Sequence, residues 1–141
     1  MGVGLLGRGI GVIKFLADCG ADLTVTDLKT KGELASSLNK LTKYKRIKYV
    51  LGEHRLEDFR NKDMIVRAPN APLDSIYLAE ARKNNIPVEM DASLFTKLAP
   101  QGVLTIGVTG TRGKSTVTHL LHEILLAGKK KVYLGGNVRG L

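Results

Sequence analysis

The residues best suited to chemistry in this chain are Gly107-Val108-Thr109-Gly110-Thr111-Arg112-Gly113-Lys114-Ser115-Thr116, set between the apolar run Val103 to Ile106 and an amphipathic stretch. Small residues at a strand-to-helix turn let backbone N–H groups close around a phosphate at the positive end of the helix. Lys114 then reaches the outer phosphates of a nucleotide, and the hydroxyl of Ser115 is offered to Mg²⁺. The spacing meets G-x-x-x-x-G-K-[ST] except at the first glycine, where Val108 stands with Gly107 before it and Gly110 after it. Arg112 fills the variable position. The competing reading is a glycine-rich turn with an incidental lysine, and the strand, loop and helix context weighs against it.

A second constellation opens the chain. Gly2-Val3-Gly4-Leu5-Leu6-Gly7 completes G-x-G-x-x-G before a helix expected from about Gly9 to Cys19. Asp27 follows Gly7 by twenty residues, at the end of the alternating run Asp22 to Thr26. Fingerprint, helix, strand and terminal acid make one βαβ unit, in which the turn approaches a pyrophosphate and the acid faces a sugar or base. Such a fingerprint ordinarily follows four or five strand residues, yet Gly2 is second here. The expectation is that Met1 to Leu6 is the last part of a buried strand and that the natural start lies upstream.

The elements that must position these residues alternate along the chain. Leu34, Leu38 and Leu41 fall on one face of a helix expected over Lys31 to Tyr44. Strands are expected at Ile47 to Leu51, Asp63 to Arg67 and Ile86 to Met90, a helical turn at Arg55 to Phe59, and helices at Ser75 to Asn84 and up to about Leu98. Asp91 or Ser93 would cap the last of these. The two prolines of Ala68-Pro69-Asn70-Ala71-Pro72 require a loop at a strand's C-terminal end, where α/β sheets bind ligands. Beyond Ala99-Pro100-Gln101-Gly102, Val103 to Ile106 reads as a strand, Ser115 to Ala127 as a helix and Lys131 to Leu134 as a strand. The fold class is therefore α/β. A Rossmann-like parallel-sheet domain over 1–98 and a linker over 99–102 precede the truncated start of a P-loop ATPase-type domain over 103–141.

Composition narrows the function. The 141 residues are 43% hydrophobic and 25% charged, ordinary for a folded domain. The formal net charge of +9 invites a nucleic-acid reading. The basic residues of Lys40 to Lys48 and Lys129 to Lys131 carry little aromatic interleaving, however, so a solvated face is the simpler account. The single cysteine, Cys19, excludes an internal disulfide and is expected to pack on the first helix. No apolar run reaches membrane-spanning length. His119 and His122 lie three apart without a third ligand nearby, and Asp18, Asp22 and Asp63 are read as surface or capping residues.

Four features together resemble the N-terminal part of the Mur ligase family, ATP-dependent enzymes that join an amino acid to a carboxylate. They are the fingerprint with Thr26-Asp27, the Ala68 to Pro72 loop, the segment G-V-T-G-T-R-G-K-S-T-V-T from Gly107 to Thr118, and Gly135-Gly136-Asn137. The third is specific to the superfamily, and G-K-S-T-V-T followed by G-G-N is similar to its D-glutamate-adding branch. The resemblance implies that the first domain holds a UDP group. Leu5, Leu6 and Gly7 would give backbone N–H groups to the diphosphate, and Asp27, Leu28 and Lys29 would border the uracil. The family usually has threonine and arginine where Leu28 and Lys29 stand. Asn70 occupies a common glycine position beside the uracil and would serve through its backbone at positive φ. Asn137 would contact the muramoyl group.

The resemblance further implies that ATP is bound by Gly110, Thr111, Arg112, Gly113, Lys114, Ser115 and Thr116, with Lys114 catalytic and Mg²⁺ on Ser115 or Thr116. ATP would phosphorylate the carboxylate of UDP-N-acetylmuramoyl-L-alanine, and D-glutamate would attack the acyl phosphate, in a cytoplasmic, monomeric enzyme of peptidoglycan synthesis. The family's second metal site and amino-acid pocket come later than this chain reaches, so the polypeptide as given is expected to bind weakly and not to catalyse. Alternative readings are another member of the family, a non-catalytic nucleotide-binding module, and a nicotinamide-dependent oxidoreductase. The last uses Asp27 on a ribose but leaves Thr109 to Ser115 without a task.

Overall fold

Parallel strands joined by helical crossovers are covered by those helices, and the chain builds its sheet from short segments of this kind. The computed structural model describes residues 1–4 and 8–136. It divides into two units, Met1–Lys97 and Leu98–Leu141.

In the first unit, α1 (Arg8–Asp18) leads to β1 (Leu23–Asp27), α2 (Ala35–Asn39) and β2 (Ile47–Leu51). A 3₁₀ turn, Leu56–Phe59, precedes β3 (Ile65–Val66), α3 (Ile76–Lys83), β4 (Val88–Glu89) and α4 (Asp91–Leu98). Two regular ladders form, both parallel: β1 with β2, in which Leu23 faces Ile47 and Asp27 faces Leu51, and β3 with β4, in which Ile65 faces Val88. Residues 1–3 join them. The Met1 nitrogen donates to the Val66 carbonyl and the Ala68 N–H to the Met1 carbonyl, each at 2.9 Å. Bonds to the residues on either side of Arg67 are the mark of a parallel pair. On the other side the Gly2 N–H donates to the Thr26 carbonyl at 2.8 Å. The spatial order is β2, β1, residues 1–3, β3, β4. In chain order that is 3-2-1-4-5, the doubly wound arrangement with its switch point beside residues 1–3.

Two apolar clusters hold this unit. Val3, Ile10, Ile13, Val25, Leu34 and Leu41 form one, and Phe59, Ile65, Leu78, Ala81 and Ile86 the other. Leu34, Leu41 and Leu78 are wholly buried, and each contributes about 1.5–3 kcal/mol by leaving water. The helix expected over Lys31 to Tyr44 is regular only over α2. A T-x-x-E pattern precedes it, the Thr30 N–H and hydroxyl both donating to Glu33 Oε2 at 2.8 Å. Gly32, Ser36, Ser37 and Asn39 are poor helix formers and leave turns on both sides. Cys19 is exposed rather than packed, because α1 ends at Asp18 and the chain turns through Gly20 at φ 84°. Asp22 pairs with Arg46 on the surface, and the Tyr44 hydroxyl reaches Asp18 at 3.2 Å.

Near the C-terminal end of the sheet, Ser93 Oγ accepts the Met90 N–H at 2.8 Å and donates to Glu89 Oε2 at 2.6 Å, while Lys97 pairs with the other oxygen of Glu89. The Lys97 ammonium first, then the Ser93 hydroxyl, holds the Glu89 carboxyl below the ordinary glutamate value. A depressed carboxyl stabilises the fold above its unfolded value of ~4.3 and loses that contribution as pH falls through its folded value. Thermal melts from pH 7 down to pH 3 should therefore show a downward step near and below pH 4 that Glu89→Gln removes. An unchanged step in the variant would assign it elsewhere.

The second unit holds one helix, α5 (Lys114–Ala127), among its described residues. The segments Val103 to Ile106 and Lys131 to Leu134, expected to be strands, carry no regular secondary structure and no ladder among the described residues, so they are not strands here. A strand exists only through its hydrogen-bonded neighbour, and none is supplied. Leu104 is 84% exposed, and α5 has no buried residue, with Val117, Leu120 and Ile124 all more than half exposed. No helix among the described residues is long and apolar enough to cross a membrane.

Candidate nucleotide-binding site

The switch point is built from three backbone segments, at the ends of residues 1–3, β1 and β3. Asp27, the last residue of β1 and 7% exposed, sets the first of them. Its Oδ2 accepts the Val3 N–H at 2.7 Å and the Gly4 N–H at 3.2 Å, and its Oδ1 accepts the Lys29 N–H at 2.9 Å. The carboxylate thus braces the glycine turn and its own following loop. Leu28, 66% exposed, and Lys29 beside it are open to solvent.

Glycine is required here for two different reasons. Gly4 sits at φ 66°, where side chains are strained. Gly9, in the first turns of α1, lies so near residues 2 and 3 that an added Cβ would stand 2.1 Å from the Val3 carbonyl oxygen and 2.9 Å from that of Gly2. Gly9 is thus the close-packing glycine of this turn, a role sequence reading missed because it depends on a helix-to-strand distance. Leu5, Leu6 and Gly7, expected to face a diphosphate, lie outside the described residues, as does Asn137.

The third segment follows β3. Ala71 N–H donates to the Ala68 carbonyl at 3.0 Å, closing a turn with Pro69 and Asn70 at its centre. Asn70 is exposed and keeps a negative φ, as the third residue of a type I turn does; Asn61, Asn85 and Lys129 are the described non-glycine residues at positive φ. The expected left-handed Asn70 is therefore not found. Arg67 staples the turn: its Nη1 lies 3.3 Å from the carbonyls of Ala68 and Ala71 and 3.4 Å from that of Pro69. Beside β2 and α3, His54 is packed edge-on against Tyr77 at 5.2 Å and Phe59 at 6.1 Å, and burial lowers its pKa.

In the second unit, the phosphate-type loop turns through Gly110 at φ 152° and Gly113 at φ 74°, and Gly113 is the residue that starts α5. The Lys114 Nζ lies over the loop, 2.5 Å from the Gly110 carbonyl and 3.4 Å from that of Thr111. Ser115 and Thr116 follow in the first helical turn, both exposed, as are Thr111 and Arg112. An ammonium over a glycine turn at a helix start can neutralise an anionic phosphate.

Parallel strands in the order 3-2-1-4-5, with a braced glycine turn at the switch point, define a doubly wound α/β domain. Residues 1–89 match the family described as Mur ligase MurD-like, N-terminal domain. The chain belongs to that family. It is 45% identical over 139 residues to the UDP-N-acetylmuramoylalanine--D-glutamate ligase of Roseiflexus sp. (strain RS-1), covering 99% of this chain and 29% of that protein. The enzymes of the same name from Borreliella burgdorferi (strain ZS7) and Treponema pallidum (strain Nichols) are 40% and 41% identical, over 98% and 97% of this chain and 30% and 26% of theirs. The chain thus spans about three tenths of the length of these curated relatives. Among solved structures, a pseudomurein peptide ligase type C from Methanothermus fervidus aligns with a TM-score of 0.45 and 25% identity, over 94% of this chain and 27% of that one.

Proposed function

We propose that this chain carries the UDP-binding part, and the beginning of the ATP-binding part, of a cytoplasmic ligase that adds D-glutamate to UDP-N-acetylmuramoyl-L-alanine. The observation that carries the reading is the meeting of the Gly2–Gly4 turn, the end of β1 and the Ala68–Pro72 loop at the sheet's switch point. The similarity of the whole chain to D-glutamate ligases supports the choice of substrate.

Turn N–H groups would receive the diphosphate, while Leu28, Lys29 and Asn70 would border the uracil. Lys114 would meet the outer phosphates of ATP, and the exposed hydroxyls of Ser115 and Thr116 fit a magnesium ion, which when bound would neutralise phosphate charge. A carboxylate must approach an anionic γ-phosphate for such a ligation to begin, so cationic and N–H groups at this loop are the ones the chemistry demands.

Titrations of the 141-residue chain with UDP, Mg-ATP and NADH test the proposal. UDP should bind and shift the amide signals of Gly4, Leu28 and Asn70. Binding of NADH alone would overturn the reading. Lys114→Ala should weaken Mg-ATP roughly 10- to 100-fold, the worth of a charge-assisted bond, and leave UDP affinity unchanged. Undiminished ATP affinity would remove Lys114 from the site. No D-glutamate-dependent phosphate release is expected from this chain, since the helix behind the loop has its apolar face in water.

A further inference from the structure

We propose that the open edge of β2 is a docking site for an extended acidic peptide segment, which adds a strand to the sheet there. β2 ends the sheet on one side: β1 is its partner, and no described residue pairs with its far edge. The two ends of the ladder settle which groups stay open. The Leu23 N–H donates to the Arg46 carbonyl at 3.2 Å and the Gly52 N–H to the Asp27 carbonyl at 2.9 Å, so Arg46, Lys48, Val50 and Gly52 bond inward to β1. Ile47, Tyr49 and Leu51 turn their N–H and C=O groups the other way, and those groups hold no partner among the described residues.

Sheet edges are ordinarily blunted, and β4 on the opposite side is one that is. It is two residues long, follows Pro87, and Ser93 Oγ takes the N–H of Met90 just beyond it. β2 runs for five residues without proline, and Tyr49 on it is 37% exposed. Lys48, exposed in the middle of the strand, shares a cleft with Lys45, Arg46, Lys62 and Asp22. Asp22 is consumed by Arg46, whose Nε and Nη2 reach its two oxygens at 2.7 and 2.8 Å. Lys45, Lys48 and Lys62 have no carboxylate partner among the described residues.

Together the open backbone and the uncompensated charge select one occupant. A row of alternating donors and acceptors is matched by another extended peptide; a phosphate backbone offers acceptors and leaves the strand's carbonyls unmatched. Ammonium groups beside that row favour carboxylates on the incoming segment. Because strand side chains alternate between faces, acids at every second position would meet Lys48 and its neighbours. A second copy of this chain brings its own net charge of +9 and another Lys48 to the same edge, so like charges disfavour it.

The test uses the full 141-residue chain and three capped octapeptides: alternating glutamate and valine, alternating lysine and valine, and alternating glutamate and proline. The glutamate–valine peptide should bind and slow exchange of the Ile47, Tyr49 and Leu51 N–H groups at least about tenfold at saturation, leaving Lys48 and Val50 as they were. The glutamate–proline peptide has the same charge but lacks half the N–H donors, and should bind at least about tenfold more weakly, as should the lysine–valine peptide. Lys48→Glu should weaken the glutamate–valine peptide about three- to tenfold. Lys62→Glu should act in the same direction, and since Lys62 lies outside the ladder its reversal reads charge with the strand intact. Absence of binding overturns the proposal. Equal affinity for the two acidic peptides, or binding that leaves exchange at Ile47, Tyr49 and Leu51 unchanged, reduces the surface to a patch of charge and overturns it too. Protection of those N–H groups without peptide, growing with protein concentration, would assign the edge to a second copy instead.

Discussion

Gly9→Ala should lower the stability of the first unit by about 3 kcal/mol, at the upper end of overpacking costs, and its melting temperature by roughly 15 °C. On most helices this substitution is favourable, because alanine has the higher helix propensity by about 1 kcal/mol. The local geometry reverses the sign. An added methyl would lie 2.1 Å from the Val3 carbonyl oxygen, 2.8 Å from its carbon and 2.9 Å from the Gly2 oxygen. These are backbone atoms of the segment that pairs with β1 on one side and β3 on the other, so retreat of α1 would also pull Val3 and Ile10 out of their shared cluster. Gly11, in the same helix, is the internal control: a methyl added there would meet nothing within 4 Å, and Gly11→Ala should be neutral or stabilising. Equal melting temperatures for the two variants would show that helix and turn are not in the contact described.

Asp27→Ala should cost about 3 kcal/mol in stability and more than tenfold in UDP affinity, because three backbone N–H groups lose one charged acceptor together. The Val3 N–H is in a buried setting that water does not readily reach. Bonds to charged groups are worth about 1.5–3 kcal/mol each, and solvent recovers part of that at Gly4 and Lys29. Removing a negative charge near a diphosphate would by itself favour binding. Collapse of the turn opposes this and is expected to win, since the N–H groups that would receive the anion depend on it. Asp27→Asn keeps one acceptor oxygen and should fall between the two, in melting temperature and in affinity. A variant that bound UDP more tightly would make charge, rather than turn geometry, the governing effect.

Local pattern makes β2 legible to the residue, since the mostly apolar run Ile47 to Leu51, rich in β-branched and aromatic residues, is bounded by charge and glycine. α3 is legible within a residue at each end. What escapes sequence reading depends on distant backbone. Ser37 looks like a weak spot in a helix until the Gly4 carbonyl is found above it. Arg67 looks like a strand's last, solvated residue until three carbonyls of the following turn gather on its guanidinium. Spacing places Asp27 at the end of its strand, but the bonds it makes to Val3 and Gly4 are invisible to spacing. Val103 to Ile106 has a strand's composition, and composition cannot provide the neighbour that a ladder requires.

Residues 1–3 lie in the middle of the sheet although they come before every other strand in the chain. Their partner in β1 is about two dozen residues away, but Met1 bonds to Val66 across sixty-five. Loop closure over the longer distance costs more entropy and must wait for the longer stretch of chain to exist. During synthesis, then, the first strand stands with one edge bare while α1, β1, α2 and β2 are already available to fold. Completion of the switch point, and with it of any nucleotide site there, follows the pairing of residues 1–3 with β1 rather than accompanying it.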